Sequence, residues 1–458
     1  MNMKYRCYPE YKDSGVAWLG EVPAHWEVRR LKFVARYQNS NVDKKSYEGQ
    51  KNVRLCNYTD VYYNEKITNN MDFMVATATD AEIKSMSLKE GDVVITKDSE
   101  DPTDIGVPAL VSEPLDNVVC GYHLTVLRAK NQDAARYLHR AIQSHPTRAH
   151  FFVESPGVTR FGLNQDAIGG LVMPVPPIVE RKKIAAFLDE KTTQIDQLIE
   201  KKTRFIELLK EKRAALITEA VTGKFDVRTG KPYAEYKDSG VEWLGEVPSH
   251  WEVKRFKNLA RLNPPKSEIS NTLPDIEVQF IPMEMVSENG KVSLKETRPL
   301  SEVYQGLTYF RDGDVIMAKI TPCFENGKGA IVDNLENGIG FGSTEFHVLR
   351  PASGVSSYIW YITKSIPFRK IGIMEMKGVA GQQRVPESFV SEFIVAVPPV
   401  EGQTTIATFL DKKNTQIDQL IEKTQQSIDL LKEKRAALIT AAVTGKIDVR
   451  DYNERNAA

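Results

Sequence analysis

Two loops, one in each half of the chain, carry side chains suited to gripping a charged, hydrogen-bonding polymer. Lys97 follows the run Gly91-Asp92-Val93-Val94-Ile95, and Lys319 follows the matching run Gly313-Asp314-Val315-Ile316-Met317. Thr321, Asn326 and Lys328 come just after it in the second half. Further on, Gly157-Val158-Thr159-Arg160 is answered by Gly381-Gln382-Gln383-Arg384. A lysine ammonium suits a phosphate, a contact that positions a protein without specifying sequence. An arginine can hold guanine at two points or clamp a phosphate, and the amides of Gln382 and Gln383 match an adenine edge. Each has a plainer reading. Lys97 and Lys319 read equally as ordinary exposed lysines, Asn326-Gly327-Lys328 as a turn, and either arginine as ion-paired inside its own domain. Arg36, Tyr37 and Asn39, with Arg261 and Asn263 in the second half, are weaker candidates for the same role. His25-Trp26 and His250-Trp251 also recur, but a repeated Trp reads as core packing that seats a segment on its framework.

Catalytic chemistry finds no motif. Asn263-Pro264-Pro265 opens like an amino-methyltransferase signature, yet Lys266 stands where an aromatic should stack on a flipped base. No glycine-rich cofactor loop precedes it. Gly327-Lys328-Gly329 lacks the spaced glycine and the Ser/Thr of a phosphate-binding loop. Pro274-Asp275-Ile276-Glu277-Val278-Gln279 begins like a nuclease metal pattern but has no lysine after it. Cys7, Cys56, Cys120 and Cys323 are scattered without a CxxC pair, which reads as reduced thiols and gives no zinc site. The expectation is a chain without catalytic or metal-binding residues of its own.

The elements that must position the loops are written twice. Glu10–Val28 and Glu235–Val253 agree at seventeen of nineteen positions, 225 residues apart. A second shared block lies at an offset of 222, where Gln194–Lys201 recurs as Gln416–Lys423 and Leu208–Thr218 as Leu430–Thr440. Between these blocks the halves diverge but keep landmarks: Val126-Leu127-Arg128 answers Val348-Leu349-Arg350, and Val175-Pro176-Pro177 answers Val397-Pro398-Pro399. Looking for such self-similarity first decides the architecture. It gives seven segments: a leading segment (1–26), a variable part (27–176), a long helix (177–225), the repeated leading segment (226–251), a second variable part (252–398), a second long helix (399–447) and a tail (448–458).

The variable parts read as mixed α/β, with short strands after the Gly-Asp turns and helices at Tyr137–Ile142 and Tyr358–Ile362. In the long helices, apolar residues at Leu188, Ile195, Leu198, Phe205, Leu209 and Leu216, and at Leu410, Ile417, Leu420, Leu431 and Leu438, form a coiled-coil seam interrupted by Lys191, Lys202 and Lys212. Gly223 and Gly445 supply left-handed C-terminal caps. A helix from about Arg181 to Val221 would rise roughly 60 Å. With one apolar stripe it needs a partner, and its own copy, reached after a whole globular part, pairs with it naturally in antiparallel.

Composition sets the outer limits. At 458 residues, with 41% hydrophobic and 9% aromatic content, the chain has material for about three folded units. No run of about 18 apolar residues suggests a membrane span, and the N-terminus lacks an apolar signal core, so a cytoplasmic location is expected. Lys plus Arg equals Asp plus Glu, 61 against 61, so the total charge does not advertise a nucleic-acid binder.

The paired SGVxWLGEVPxHW segments, the paired VPP-to-helix transitions, the KEKRAALITxAVTGK helix ends and the strings ITPCFENGKGA and GFGSTEFHVLRP together resemble the type I restriction–modification specificity subunits, over essentially the whole chain. The resemblance implies two α/β target-recognition domains, each reading one half of an asymmetric, split site in double-stranded DNA. It implies that the two long helices form an antiparallel coiled coil between them, in an internal pseudo-two-fold repeat. It implies partners: methyltransferase subunits, two of them, on the shared regions, and two motor–nuclease restriction subunits that join those. Adenine methylation and restriction, with S-adenosylmethionine, ATP and Mg, then belong to the partners. The competing reading is a coiled-coil scaffold with two interaction domains and no DNA role; a methyltransferase is disfavoured because its motifs are missing.

Overall fold

A computed structural model describes residues Tyr5 to Tyr452. The first four positions of the leading segment and the last six of the tail lie outside the described residues. The chain forms two compact units, and they do not follow the seven sequence segments. Unit 1 comprises Met1–Lys202 with Gln426–Ala458, and unit 2 comprises Thr203–Gln425. The division falls inside the two long helices, Ile178–Val221 and Val400–Val443, each of 44 residues. Each unit therefore contains the first part of one long helix and the last part of the other.

Both units rest on the same framework. In unit 1 a hairpin pairs Tyr11–Asp13 with Glu21–Pro23, and Glu27–Arg30 then pairs antiparallel with Val172–Val175, so the variable part leaves beside the strand on which it began. In unit 2 the hairpin is Tyr236–Asp238 with Glu246–Pro248, and the closing pair is Glu252–Arg255 with Ile394–Val397. The main sheet of unit 1 runs Ala35–Asn39, Leu124–Ala129, Asp92–Thr96, Pro108–Val111, Lys66–Ile67. That of unit 2 runs Ala260–Leu262, Phe346–Pro351, Val315–Ala318, Gly329–Ile331 in the corresponding order. Divergence is concentrated in the second sheet. Unit 1 has three strands there (Val118–Cys120, Lys51–Cys56, Met74–Ala78) and unit 2 has four (Thr297–Pro299, Glu277–Ile281, Ile339–Gly342, Thr308–Arg311).

The sequence landmarks have a physical basis in these sheets. Gly91 and Gly313 adopt φ of 87° and 82°, the left-handed turn that starts each central strand. Asp92 then meets Arg128 across the sheet at 3.1 Å, and Asp314 meets Arg350 at 2.7 Å. The Gly-Asp and Val-Leu-Arg motifs thus recur because each pair supplies one ion pair between neighbouring strands. The expected helices are present as Gln132–Ile142 and Ser356–Lys364; they pack on the sheets, and their tyrosines tie each unit together internally. The Tyr137 hydroxyl donates to the carbonyls of Pro174 and Val443, and that of Tyr358 to those of Ala396 and Val221.

The end of each long helix packs under a leading segment. Gly445 and Gly223 have φ of 74° and 71°, as their capping role predicts. A Cβ at Gly445 would lie 2.2 Å from Pro23 and one at Gly223 2.4 Å from Pro248, so the close approach also demands glycine. Trp26 and Trp251 are fully buried at the same junctions. Unit 1 is further closed by Tyr11 Oη donating to Gly445 O at 2.9 Å and by Asp448 N donating to Arg6 O at 2.8 Å.

Within each unit the helix segments lie side by side in opposite directions. In unit 1 Asp196 meets Arg435 at 2.9 Å while Tyr452 reaches back to Glu190. In unit 2 Asp418 meets Arg213, and Ile217, Ala220 and Val221 share a core with Ile406, Ala407 and Leu410. The buried column differs from the expected seam. Leu188, Ile195, Leu209, Leu410, Ile417 and Leu438 are buried, and Leu216 and Leu431 are partly so. Leu198, Phe205 and Leu420 are exposed, by 47%, 44% and 46%. Ile199, Ile206 and Ile421 replace them in the column, and Thr192, Lys202 and Arg213 take its polar positions. The column 188, 192, 195, 199, 202, 206, 209, 213, 216, 220, buried or half-buried throughout, alternates steps of four and three without interruption.

Candidate nucleic-acid interface

In unit 1 the central strand Asp92–Thr96 delivers Lys97 to its C-terminal end. The two-residue ladder of Asp98–Ser99 with Phe161–Gly162 then brings the Gly157–Arg160 loop beside it. Backbone bonds from Lys97 N to His123 O (3.0 Å) and from Leu163 N to Lys97 O (2.8 Å) lock the two loops and the Tyr122-His123 turn together. Lys97 Nζ lies 4.3 Å from the centre of the Tyr122 ring, itself 52% exposed. His123 Nδ1 lies 2.7 Å from the Asp98 carboxylate. Arg160 Nη2 lies 3.0 Å from that same nitrogen and 3.9 Å from the Asp98 carboxylate. Arg160 thus makes no two-point bond to the carboxylate, and its guanidinium stays largely open to solvent. Lys97 and Arg160, far apart in sequence, thus form one basic, aromatic-flanked surface, to which Tyr122 and His123 are additions that sequence motifs did not mark.

Unit 2 builds the corresponding place with different chemistry. Lys319 is tied by its N–H to Glu345 O at 2.9 Å and by its carbonyl to Val385 N at 2.8 Å. Glu345 occupies the position of His123, 222 residues on. Arg384 binds it at two points, Nε at 2.9 Å and Nη2 at 2.8 Å, and donates a third bond to Gln382 O at 3.2 Å. Hydrogen bonding to Arg384 holds the Glu345 carboxyl below the usual carboxylate range. The internal ion pair is therefore the state of Arg384 here. Thr321 is likewise engaged within the unit, exchanging bonds with the Gln383 backbone at 2.9 and 3.1 Å. Lys328 turns to Met283 O at 3.5 Å and closes a turn in which Gly327 has φ of 78°. Asn326 and Gln382 remain exposed on the same loops, with Gln383 half-buried.

Of the weaker candidates, Arg36 is exposed, Tyr37 packs against Gly169, and Asn39 accepts from Thr125 Oγ1 at 2.7 Å. Arg261 pairs with Glu268 at 3.2 Å. Asn263 is committed to the fold: its carbonyl oxygen accepts from Val348 N at 2.9 Å and its amide donates to Glu387 at 2.5 Å. Its φ of 47° makes Asn263-Pro264-Pro265 a turn. Among the described residues no group of three or more His, Cys, Asp or Glu is placed to hold a metal ion, and no helix is long and apolar enough to cross a membrane.

A family model described as the type I restriction modification DNA specificity domain matches residues 23–208 and 248–430, once on each repeat. The chain belongs to this family. It is 36% identical over 226 residues to the EcoAI type I restriction enzyme specificity subunit of Escherichia coli, across 49% of this chain and 37% of that protein. It is 37% identical over 187 residues to the EcoEI specificity subunit of the same species, across 40% and 31%. These matches span about a third of the length of the two E. coli proteins. A putative MjaX specificity subunit of Methanocaldococcus jannaschii is 24% identical over 452 residues, 94% of this chain and 96% of that one. Among solved structures, a chain from work on complex assembly and conformational transition of the type I R-M system superposes with a TM-score of 0.61 at 15% identity, covering 92% and 98% of the two chains. The HsdS subunit of Thermoanaerobacter tengcongensis does so with 0.50 at 15%, covering 93% and 98%. At such identity the likeness is one of mixed α/β fold.

Proposed function

We propose that this chain is the sequence-reading subunit of a cytoplasmic type I restriction–modification complex, binding a two-part, asymmetric site in double-stranded DNA. The observation that carries this is one framework built twice with different side chains at the same loop position. Lys97, Tyr122, His123 and Arg160 stand in unit 1 where Lys319, Thr344, Glu345 and Arg384 stand in unit 2. Equal scaffolds with unequal contact sets suit two unlike half-sites, because base edges are distinguished by donor and acceptor pattern. Lysines at the ends of the central strands suit phosphate positioning.

In this reading the long helices form an antiparallel coiled coil that relates the repeats by a pseudo-two-fold axis and sets the spacer between half-sites. B-DNA repeats a face about every 34 Å, which makes a rod of fixed length a spacer gauge. The chain itself is non-catalytic. Two methyltransferase subunits with S-adenosylmethionine carry out adenine methylation, and two motor–nuclease subunits with ATP and Mg carry out restriction. The neutral total charge fits a reader whose affinity rises when partners add basic surface. Mapping methylated bases in cells that express this chain with its methyltransferase tests the proposal. A split, asymmetric target supports it; a continuous palindrome, or no change in methylation on deleting the chain, refutes it.

A further inference from the structure

At one buried position of the shared framework the repeats differ in charge. In unit 1, Glu180 lies in the first turn of its long helix and is 8% exposed. Its carboxylate takes three donors: the Tyr8 hydroxyl at 3.0 Å, His25 Nε2 at 2.6 Å and the Trp26 indole N–H at 3.0 Å. Arg450, paired with Asp448 at 2.7 Å, covers the Tyr8 ring.

In unit 2 all the donors recur. Tyr233, His250 and Trp251 match Tyr8, His25 and Trp26, and Arg228 pairs with Asp226 at 3.0 Å as Arg450 does with Asp448. The acceptor does not recur, because Gly402 stands in the place of Glu180. That place is a cavity of about 360 Å³, bounded by Tyr233, His250, Trp251, Arg228, Gly402 and Pro399 among others. Trp251 is 1% exposed, yet among the described residues neither its indole N–H, nor the Tyr233 hydroxyl, nor the His250 ring has a hydrogen-bond partner. The indole N–H is left at the cavity wall without a protein acceptor, and a carboxylate is the acceptor that the identical donor set binds in unit 1. The cavity also faces the N-terminus of a 44-residue helix, whose dipole favours an anion. Two carboxylates adjoin it: Asp226, neutralised by Arg228, and Glu401, exposed at the rim.

We propose that this cavity receives a carboxylate from another polypeptide, either an acidic side chain or a chain terminus, which engages Tyr233, His250 and Trp251 as Glu180 engages their counterparts. The volume exceeds what a bare carboxylate fills, leaving room for the carrier residue. This inference stands apart from DNA reading, since none of the residues involved belongs to the loop surfaces described above.

The test uses the full chain labelled with ¹⁵N at tryptophan indoles, titrated at fixed ionic strength with N-acetyl-glutamate amide (side chain), N-acetyl-glycylglycine (chain terminus), acetate (bare ion) and N-acetyl-glutamine amide (uncharged control). The Trp251 indole resonance should shift saturably with at least one of the first two, at least tenfold more tightly than with the control or acetate, and which of the two binds tighter names the source. Gly402→Glu should place a carboxylate in the site, move that resonance to its bound position and abolish the response. An equal response to all four compounds, binding of acetate alone, or a titration unchanged in Gly402→Glu would overturn the proposal. So would a resonance that responds only after Glu401→Gln, because the neighbouring carboxylate would then already fill the site.

Discussion

Arg350 and Asp314 form a two-point ion pair between adjacent strands of unit 2, with Nε 2.8 Å from Oδ1 and Nη2 2.7 Å from Oδ2. Both side chains are nearly sealed from solvent, at 6% and 1% exposure. Arg350→Ala strands a buried carboxylate and should lower unfolding free energy by about 3–5 kcal/mol in denaturant titration. Arg128→Ala, at the equivalent but more open pair with Asp92, should lower it less. Equal losses would mean that burial does not grade the two pairs.

The helix column gives a sharper contrast. Ile206→Ala removes a buried side chain and should destabilise by about 2–4 kcal/mol, whereas Leu198→Ala, on the exposed side, should cost under about 1 kcal/mol in the same assay. The reverse order would restore the seam first expected.

Arg160 and Arg384 should behave differently in methylation mapping with partner subunits. Arg160→Ala should relax or weaken one half-site only, by about 1–3 kcal/mol at the affected base. Arg384→Ala should act chiefly through the loop that Glu345 and Gln382 hold. Equal weakening of both half-sites by Arg160→Ala would point to a general phosphate role.

Adding one heptad to both long helices should lengthen the methylated target's spacer and leave its half-sites unchanged. Altered half-sites with an unaltered spacer would rule out the helices as the gauge.

His139 offers a pH signature. Burial, with the neighbouring Arg140 charge, pushes its imidazole down to about 4 against the opposing influence of Glu65 and Asp189. The native state then holds fewer protons than the unfolded chain between pH 4 and 6.5, so this residue's contribution to stability is complete above pH 6.5 and lost as pH falls toward 4. The shift bounds the loss at about 3 kcal/mol. His139→Gln should flatten the acid limb of stability against pH relative to the parent protein; an unchanged limb would assign it to carboxylates alone.

What the sequence disclosed depended on how local the cause was. Gly91-Asp92 and Gly313-Asp314 were legible as strand starts because a positive φ demands glycine at one position. The long helices were legible from period alone, to within three residues at the start of the first. Their buried column was misplaced by one residue at Leu198, Phe205 and Leu420, since Leu198-Ile199, Phe205-Ile206 and Leu420-Ile421 are adjacent apolar pairs and either member satisfies three-four spacing. The loop surfaces were half-legible. Paired motifs marked Lys97 and Arg160, but Tyr122 joins them only through strand register, and the capture of Arg384 by Glu345 links residues 39 apart with no periodic signal.

The discontinuity of unit 1 governs the order in which the protein can be made. Unit 2 is one uninterrupted stretch, Thr203–Gln425, and has all its parts as soon as that stretch leaves the ribosome. Unit 1 begins before unit 2 in the chain, yet Tyr137 and Tyr11 find their acceptors on Val443 and Gly445, after it. The nascent N-terminal portion must therefore wait, with the face around Trp26 uncovered, while more than two hundred later residues are translated and fold. A premature stop near residue 425 leaves unit 1 incomplete rather than the unit just completed.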